Sequence, residues 1–380
     1  MFVSWHKLTL STTSLPLPPG PYSLPIVGYL PFLGRDLHTK FTNMAHTYGP
    51  IFKFYLGSKL HVVINTPELA KVVVRDLDDT FANRDLTVAA SVNPMEAKIW
   101  PFPRTMRRGV AYIAFLTEAN VITRMVWDDT TYKGEQGIRV GAELQTVVSN
   151  VTKILEQPNL SDFFPTLAWF DLQGVERNMK KELKKSQGPN DATSLNIIQV
   201  KTLLSDFMLA GTHTTTTLIE WAMANIMRNH KETFRLNPVS PVLIPRVPSK
   251  DCVVDGYKIP KDCVVFLNVL SIHRNPRYWD NLLEFNPERF LANEGTNKWD
   301  YSRNNLKFVP FGSGRRLCPG IPLAEKMQMF ILASLLHSFD WSLPEGEEHD
   351  LSESFGLTLK KSKPLIAVPY QRLPDKSLYM

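Results

Sequence analysis

The chain is short of cysteine: Cys252, Cys263 and Cys318 are the only three among 380 residues. Three make no disulfide framework, and none stands in a Cys-x-x-Cys pair, so whatever chemistry they carry belongs to a reduced thiol. Long apolar runs are missing as well. No stretch reaches the roughly eighteen residues that a membrane-crossing helix needs, and Met1 to Ser14 is mixed and polar, without the apolar centre of a secretory signal. The formal charge of +6 suits nucleic acid, anionic lipid or an acidic protein alike. No nucleic-acid-binding motif occurs, so nucleic acid is not among the expected partners. What is plentiful is apolar: 43% of residues are hydrophobic against 21% charged, which excludes disorder as the default. This length is large for one core, though admissible when a cofactor fills its centre.

One stretch organises the rest, Phe311-Gly-Ser-Gly-Arg-Arg-Leu-Cys-Pro-Gly320, a glycine-rich turn that enters an apolar helix with Cys318 just ahead of the helix start. A sulfur there meets unpaired N–H groups and the positive end of the helix dipole, which favour the thiolate. The stretch reads as a cradle for a haem iron. Gly312 and Gly314 allow backbone angles and a close approach to a flat ligand that a side chain would block. Arg316 can reach a haem propionate, Gly320 lets the next helix lie close, and Pro322 sits in a first turn where its missing N–H is harmless. From the loop alone, a buried structural cysteine beside a turn stays open. The spacing Phe-x-x-Gly-x-Arg-x-Cys-x-Gly, complete at Phe311, Gly314, Arg316, Cys318 and Gly320, resembles the haem-binding loop of cytochrome P-450 monooxygenases.

The resemblance implies a mainly α fold with a small β region, an incomplete cytochrome P-450 fold that holds haem b through Cys318. Ile197 to Asn229 reads as a long apolar helix interrupted by Ala210-Gly-Thr-His-Thr-Thr-Thr-Thr217. Clustered hydroxyls beside a glycine are poor helix chemistry, because they compete for backbone carbonyls. Taken alone, such a segment is a kink or a polar core contact. It resembles the family's central helix, where a local groove holds dioxygen beside a threonine, and this implies catalytic positions at Gly211, His213 and Thr214. Thr214 takes the place of the threonine that delivers a proton. His213 stands where the family has an acid, and imidazole relays protons near neutral pH.

Leu15-Pro-Leu-Pro-Pro-Gly-Pro21 is stiff, and alone reads as a linker or a docking ligand. In the eukaryotic members that the chain resembles, such a segment joins a membrane anchor to the catalytic body. Residues 1–34 are therefore expected to form an N-terminal segment and hinge without its anchor. Residues 35–380 form the monooxygenase domain, disturbed near 92–125, 180–200 and 230. Periodicity predicts a helix from Leu37 to Tyr48, a hairpin from Ile51 to Ile64, a helix opened by Thr66-Pro67, and another helix within Gly134 to Leu155. Trp100 and Arg104 have the spacing of a family motif whose arginine faces the haem, but Pro101 and Pro103 between them break a helix. A proline-rich loop stays open there. Glu232 and Arg235 share a helix face and, with Arg289, resemble the family's structural triad. Arg246 resembles a propionate-binding arginine. Strands follow at Cys252 to Ile259 and Cys263 to Asn268, then a helix over Leu323 to Phe339. Ser354 to Leu359 resembles the family's strand turn that closes the substrate pocket, which implies Val239, Val242, Leu243, Phe355 and Leu357 as apolar lining.

The activity so implied inserts one oxygen atom from O2 into a C–H bond of an apolar small molecule, such as a plant terpenoid. Electrons come from NADPH through a flavoprotein reductase, for which Lys307, Arg315 and Lys326 offer a basic face. The family's plant microsomal members work at the cytosolic face of the endoplasmic reticulum membrane, which is the expected location, or the cytoplasm without the anchor. Two alternatives remain: a haem-binding splice or gene-model variant impaired in turnover, and a reductase-independent haem-thiolate isomerase or dehydratase. Relatives of the latter kind lack the alcohol at Thr214.

Overall fold

The computed structural model describes residues 15–34, 36–84, 110–127, 159, 162, 171, 173–175, 177–178, 197–225, 230–291, 305–348, 350–356 and 358–375. Their helices are α1 Leu37–Tyr48, α2 Pro67–Lys71, α3 Val110–Trp127, α4 Ile197–Ala224, α5 His230–Leu236, α6 Val269–His273, α7 Glu288–Leu291 and α8 Ile321–Ser338. The strands are β1 Ile51–Leu56, β2 Lys59–Ile64, β3 Asn83–Arg84, β4 Arg246–Val247, β5 Cys252–Val254, β6 Tyr257–Ile259, β7 Val264–Leu267, β8 Phe339–Ser342, β9 Glu353–Phe355, β10 Leu359–Lys361 and β11 Val368–Gln371. Trp100, Arg104 and the helix expected within Gly134 to Leu155 lie outside the described residues. The chain forms two compact units, one of Met1–Asp85, Val242–Asp280 and Asp300–Leu317, the other of Leu86–Pro241, Asn281–Trp299 and Cys318–Met380.

The first unit is built on a five-stranded sheet of order β1-β2-β7-β4-β3. β1 and β2 are rich in β-branched and aromatic residues, which fit a pleated surface, and they pair antiparallel from Ile51↔Ile64 to Leu56↔Lys59. β2 then runs parallel to β7. α1 ends where Gly49 takes a φ of 98°, a value that favours glycine. α2 starts at Pro67 with Leu69 N donating to the Thr66 hydroxyl at 3.5 Å, an N-cap arrangement. It passes into a π turn over Val72–Asp76. Val62, Val73, Phe81, Val265 and Ile272 form the core beneath. The proline segment is fastened to this unit: Lys53 N donates to Pro19 O at 2.8 Å and Lys258 N to Pro16 O at 2.9 Å. Gly20 is required there, since a Cβ would stand 1.9 Å from Lys53 O.

In the second unit α3 and α8 both pack on α4, and Val110, Ala114, Ile219, Met223, Ile331 and Leu365 make the shared core. The interruption expected in the long helix is corrected: α4 runs unbroken from Ile197 to Ala224. The hydroxyls do not divert its carbonyls. Thr214 Oγ1 donates to Ala210 O at 2.6 Å and Thr217 Oγ1 to His213 O at 2.9 Å, back-bonds that leave the helix intact. Gly211 lets α3 come close, because a Cβ on it would stand 2.8 Å from Ile122 Cδ1. Tertiary packing thus outweighs a weak local propensity. The β9–β10 hairpin pairs Leu359 with Phe355 and is tied to α4 by Trp221 Nε1, which donates to Leu359 O at 2.8 Å.

Candidate active site

Gly312 and Gly314 both have a φ of +74°, so each is glycine for its backbone angle. At Gly314 the close neighbour is protein: a Cβ would stand 2.1 Å from Val74 O in the π turn. Phe311 is half-buried, and Gly314–Arg316 forms a single 3-10 turn. In the second unit Cys318 is half-buried, Gly320 caps α8, and Pro322 lies in the first turn. A Cβ at Gly320 would lie 3.7 Å from Cys318 Sγ. By contrast, burial pushes the Cys252 thiol up to about 11 and the Cys263 thiol up to about 12. Both are inert at neutral pH.

The first unit gathers arginines. Arg246 is 2% exposed; its Nη2 donates to Ser313 O at 2.6 Å, while Nη1 has no hydrogen-bond partner among the described residues and lies 3.7 Å from Asp78 Oδ1. Arg84 stands directly opposite Arg246 in the β3–β4 ladder. Like charges so paired are destabilising. Burial, then Arg246 and Arg316, lower Arg84 to about 10. Burial first, and Arg316 third, lower Arg246, against which Asp78 pulls upward. Arg316 is exposed; its Nε donates to Ala82 O at 2.7 Å. Asp78 is shared, for Arg315 N donates to both its oxygens at 3.1 Å. An excess of guanidinium with an unsatisfied buried Nη1 calls for an anion, and the two carboxylates of haem fit that demand. Phe81 to Asp85 resembles a loop of the family by sequence, but nothing there assigns Arg84 a role toward an anion. Its partner lies more than 150 residues away, and nothing local marks the pairing.

On α4, Thr212, Thr215 and Thr217 are buried while Thr214 is exposed. The exposed alcohol keeps both lone pairs open beyond its own bond to Ala210 O. His213 Nε2 and Thr358 Oγ1 are 3.1 Å apart. Burial first, then the Lys360 charge, lowers His213 to about 4, so the ring is neutral at neutral pH. Glu118 on α3 is also buried; Thr216 Oγ1 donates to its Oε2 at 3.2 Å. Burial raises it well above the usual carboxylate range.

The expected triad is assembled. Arg235 Nε and Nη2 donate to the two Glu232 oxygens at 2.7 and 2.6 Å, and Arg289 Nε donates to Oε1 at 3.3 Å. Of the basic residues expected to face a reductase, Lys307 lies over the Tyr278 ring at 4.1 Å. Arg315 pairs with Asp78 and Asp79, and Lys326 is exposed. Val239 and Val242 are buried, and Leu359 N donates to Val239 O at 2.9 Å. Leu357 lies outside the described residues.

The cytochrome P450 family model matches residues 18–99 and 230–368. The chain belongs to the cytochrome P450 family. Cytochrome P450 76C2 of Arabidopsis thaliana is 30% identical over 493 positions, spanning 98% of this chain and 95% of that relative. A flavonoid 3',5'-hydroxylase of Campanula medium is 30% identical over 484 positions, spanning 95% and 92%. These alignments are longer than the chain, so the relatives carry internal segments absent here. A zebrafish cytochrome P450 solved with abiraterone superimposes with a TM-score of 0.65 at 21% identity, over 88% of this chain and 99% of that one. The fold is therefore the cytochrome P450 fold, mainly α with a small β region, as the cysteine loop implies. Members of the family are haem-dependent monooxygenases, oxidoreductases that use O2 and a redox partner. No helix among the described residues is long and apolar enough to cross a membrane.

Proposed function

We propose that the protein hydroxylates an apolar plant metabolite, taking NADPH electrons through a flavoprotein reductase at the cytosolic face of the endoplasmic reticulum. The observation that carries this reading is the exposure of Thr214 beside the buried Thr212, Thr215 and Thr217. An isomerase or dehydratase has no use for a proton-delivering alcohol there. Bound through the Cys318 thiolate, haem supplies the reduction and splitting of dioxygen. Arg84, Arg246 and Arg316 hold its carboxylates, while Phe311, Gly314 and Gly320 shape the loop that presents Cys318. Thr214 passes on a proton, with His213 beside it in sequence and Gly211 seating α3. Residues 35–380 carry this chemistry as one domain. Named flavonoid hydroxylases among the relatives make a polyphenol a first substrate to test beside a terpenoid.

In the reduced, carbon-monoxide-bound protein the main absorption band shifts to the red, and Cys318→Ser abolishes the shift. With reductase and NADPH, Thr214→Ala lowers product formed per NADPH by about tenfold or more. Product made without NADPH, and unchanged in Thr214→Ala, would overturn the reading. A second reading, a haem binder impaired in turnover, is favoured by the internal segments that relatives possess and this chain lacks. It requires the red-shifted band with no NADPH-dependent product.

A further inference from the structure

We propose that Thr358 is the positioning residue for His213, holding the imidazole as a fixed, uncharged Nδ1–H donor that orders the water supplying protons to Thr214. The inference rests on the monooxygenase reading above and adds a residue, a tautomer and a charge state to it.

The hydroxyl is a fixed post. Thr358 is 2% exposed, so water does not compete for its hydrogen bond. The next residue is pinned from two sides: Leu359 O accepts from Trp221 Nε1 at 2.8 Å, and Leu359 N donates to Val239 O at 2.9 Å. The ring is held as firmly at its root, where His213 O accepts from Thr217 Oγ1 at 2.9 Å. The 3.1 Å contact between Nε2 and Thr358 Oγ1 therefore joins side chains carried on two anchored stretches of backbone.

Satisfaction of donors sets the direction of that bond. Among the described residues Thr358 Oγ1 has no other partner. If it accepted from an Nε2–H, its own buried proton would be left without an acceptor, at a penalty of about 1–3 kcal/mol. If it donates to Nε2, the buried hydroxyl proton has its acceptor, and the ring carries its single proton on Nδ1. Burial first, and then the Lys360 charge, keep the ring neutral. Lys360 on β10 is the cation that acts on it. Glu220, one helical turn beyond Thr217, is engaged by Leu365 N at 2.8 Å and by the charge of Lys361. Glu118, presented by α3, is raised toward its neutral form. An imidazolium acid is thereby ruled out at neutral pH, and a steady N–H donor is what remains.

The test uses nitrogen-15-labelled histidine in the reduced, carbon-monoxide-bound holoprotein, which is diamagnetic, with the His213 signal identified from its loss in His213→Gln. Wild type is expected to show one Nδ1–H tautomer with no ionisation between about pH 5.5 and 8. Thr358→Ser keeps that pattern, and Thr358→Val replaces it with a mixed or Nε2–H population. In turnover, Thr358→Val raises NADPH oxidation without product by about tenfold, a modest share of what a proton-transfer group contributes, and Thr358→Ser restores coupling. An unchanged tautomer in Thr358→Val, or Ser and Val variants that behave alike, would overturn the proposal. The carbon-monoxide band of the same samples reports separately on thiolate ligation. A wild type without the red shift therefore defeats the enzymatic reading, while the tautomer still judges the pair.

Discussion

Two groups of arginines, one in each unit, differ in how their charge is met. In the second unit Arg235 has every arm placed: Nε and Nη2 on Glu232, Nη1 on Leu282 O at 2.9 Å, and Nη2 also on Glu284 O at 3.1 Å. Arg289 completes the set from α7, and both Arg235 and Glu232 are 0% exposed. In the first unit Arg84 and Arg246 face one another across a ladder, Arg316 adds a third charge, and the carboxylate of Asp78 is divided between Arg246 and Arg315. The satisfied group is architecture. The unsatisfied group is the one proposed above to receive the carboxylates of haem.

Substitution separates the two. Glu232→Gln leaves the buried Arg235 and the half-buried Arg289 without their anion and lowers folding stability by about 3–5 kcal/mol, read as a large fall in the thermal midpoint of unfolding or a loss of soluble protein. Arg246→Met acts on the other quantity. It relieves the repulsion with Arg84, so the melting of haem-free protein stays level or rises, while haem affinity falls by about tenfold, the loss of one charge-assisted hydrogen bond. Equal loss of stability in both variants would erase the distinction. The smallest effect belongs to Arg315→Ala. That side chain is 60% exposed, and of its acid partners Asp79 is exposed and Asp78 half-buried, so stability changes by less than about 1 kcal/mol and haem affinity remains as in the parent.

What the sequence made legible was short in range. α1 with its stop at Gly49, the β1–β2 hairpin around Gly57-Ser58, and α2 behind Thr66-Pro67 each rest on neighbours a few residues apart. The Glu232–Arg235 pair was legible for the same reason, being separated by three positions. Cys318 and its loop were legible because five specified residues fall within ten positions. Contacts between distant stretches were not. The bond from Arg84 to Ile244 spans 160 positions, and that between His213 and Thr358 spans 145; neither has a local mark. The continuity of α4 was misread because propensity counts hydroxyls, while the structure lets them bond their own helix and lets Ile122 fill the space over Gly211. Composition identified the proline segment but could not say that it lies along β1.

That last placement bears on how the protein is handled. β1 is the outermost strand of its sheet, and residues from Pro18 to Tyr29 cap it, with Tyr29 N donating to Tyr55 O at 2.6 Å and Gly57 N to Val27 O at 3.2 Å. A trimmed version starting after Gly28, cut with solubility in mind, would uncover a row of unpaired amides and carbonyls along an apolar ribbon. Such rims recruit one another, so the shortened molecule would stick to its own kind, and purification handles belong ahead of Leu15 rather than in place of it.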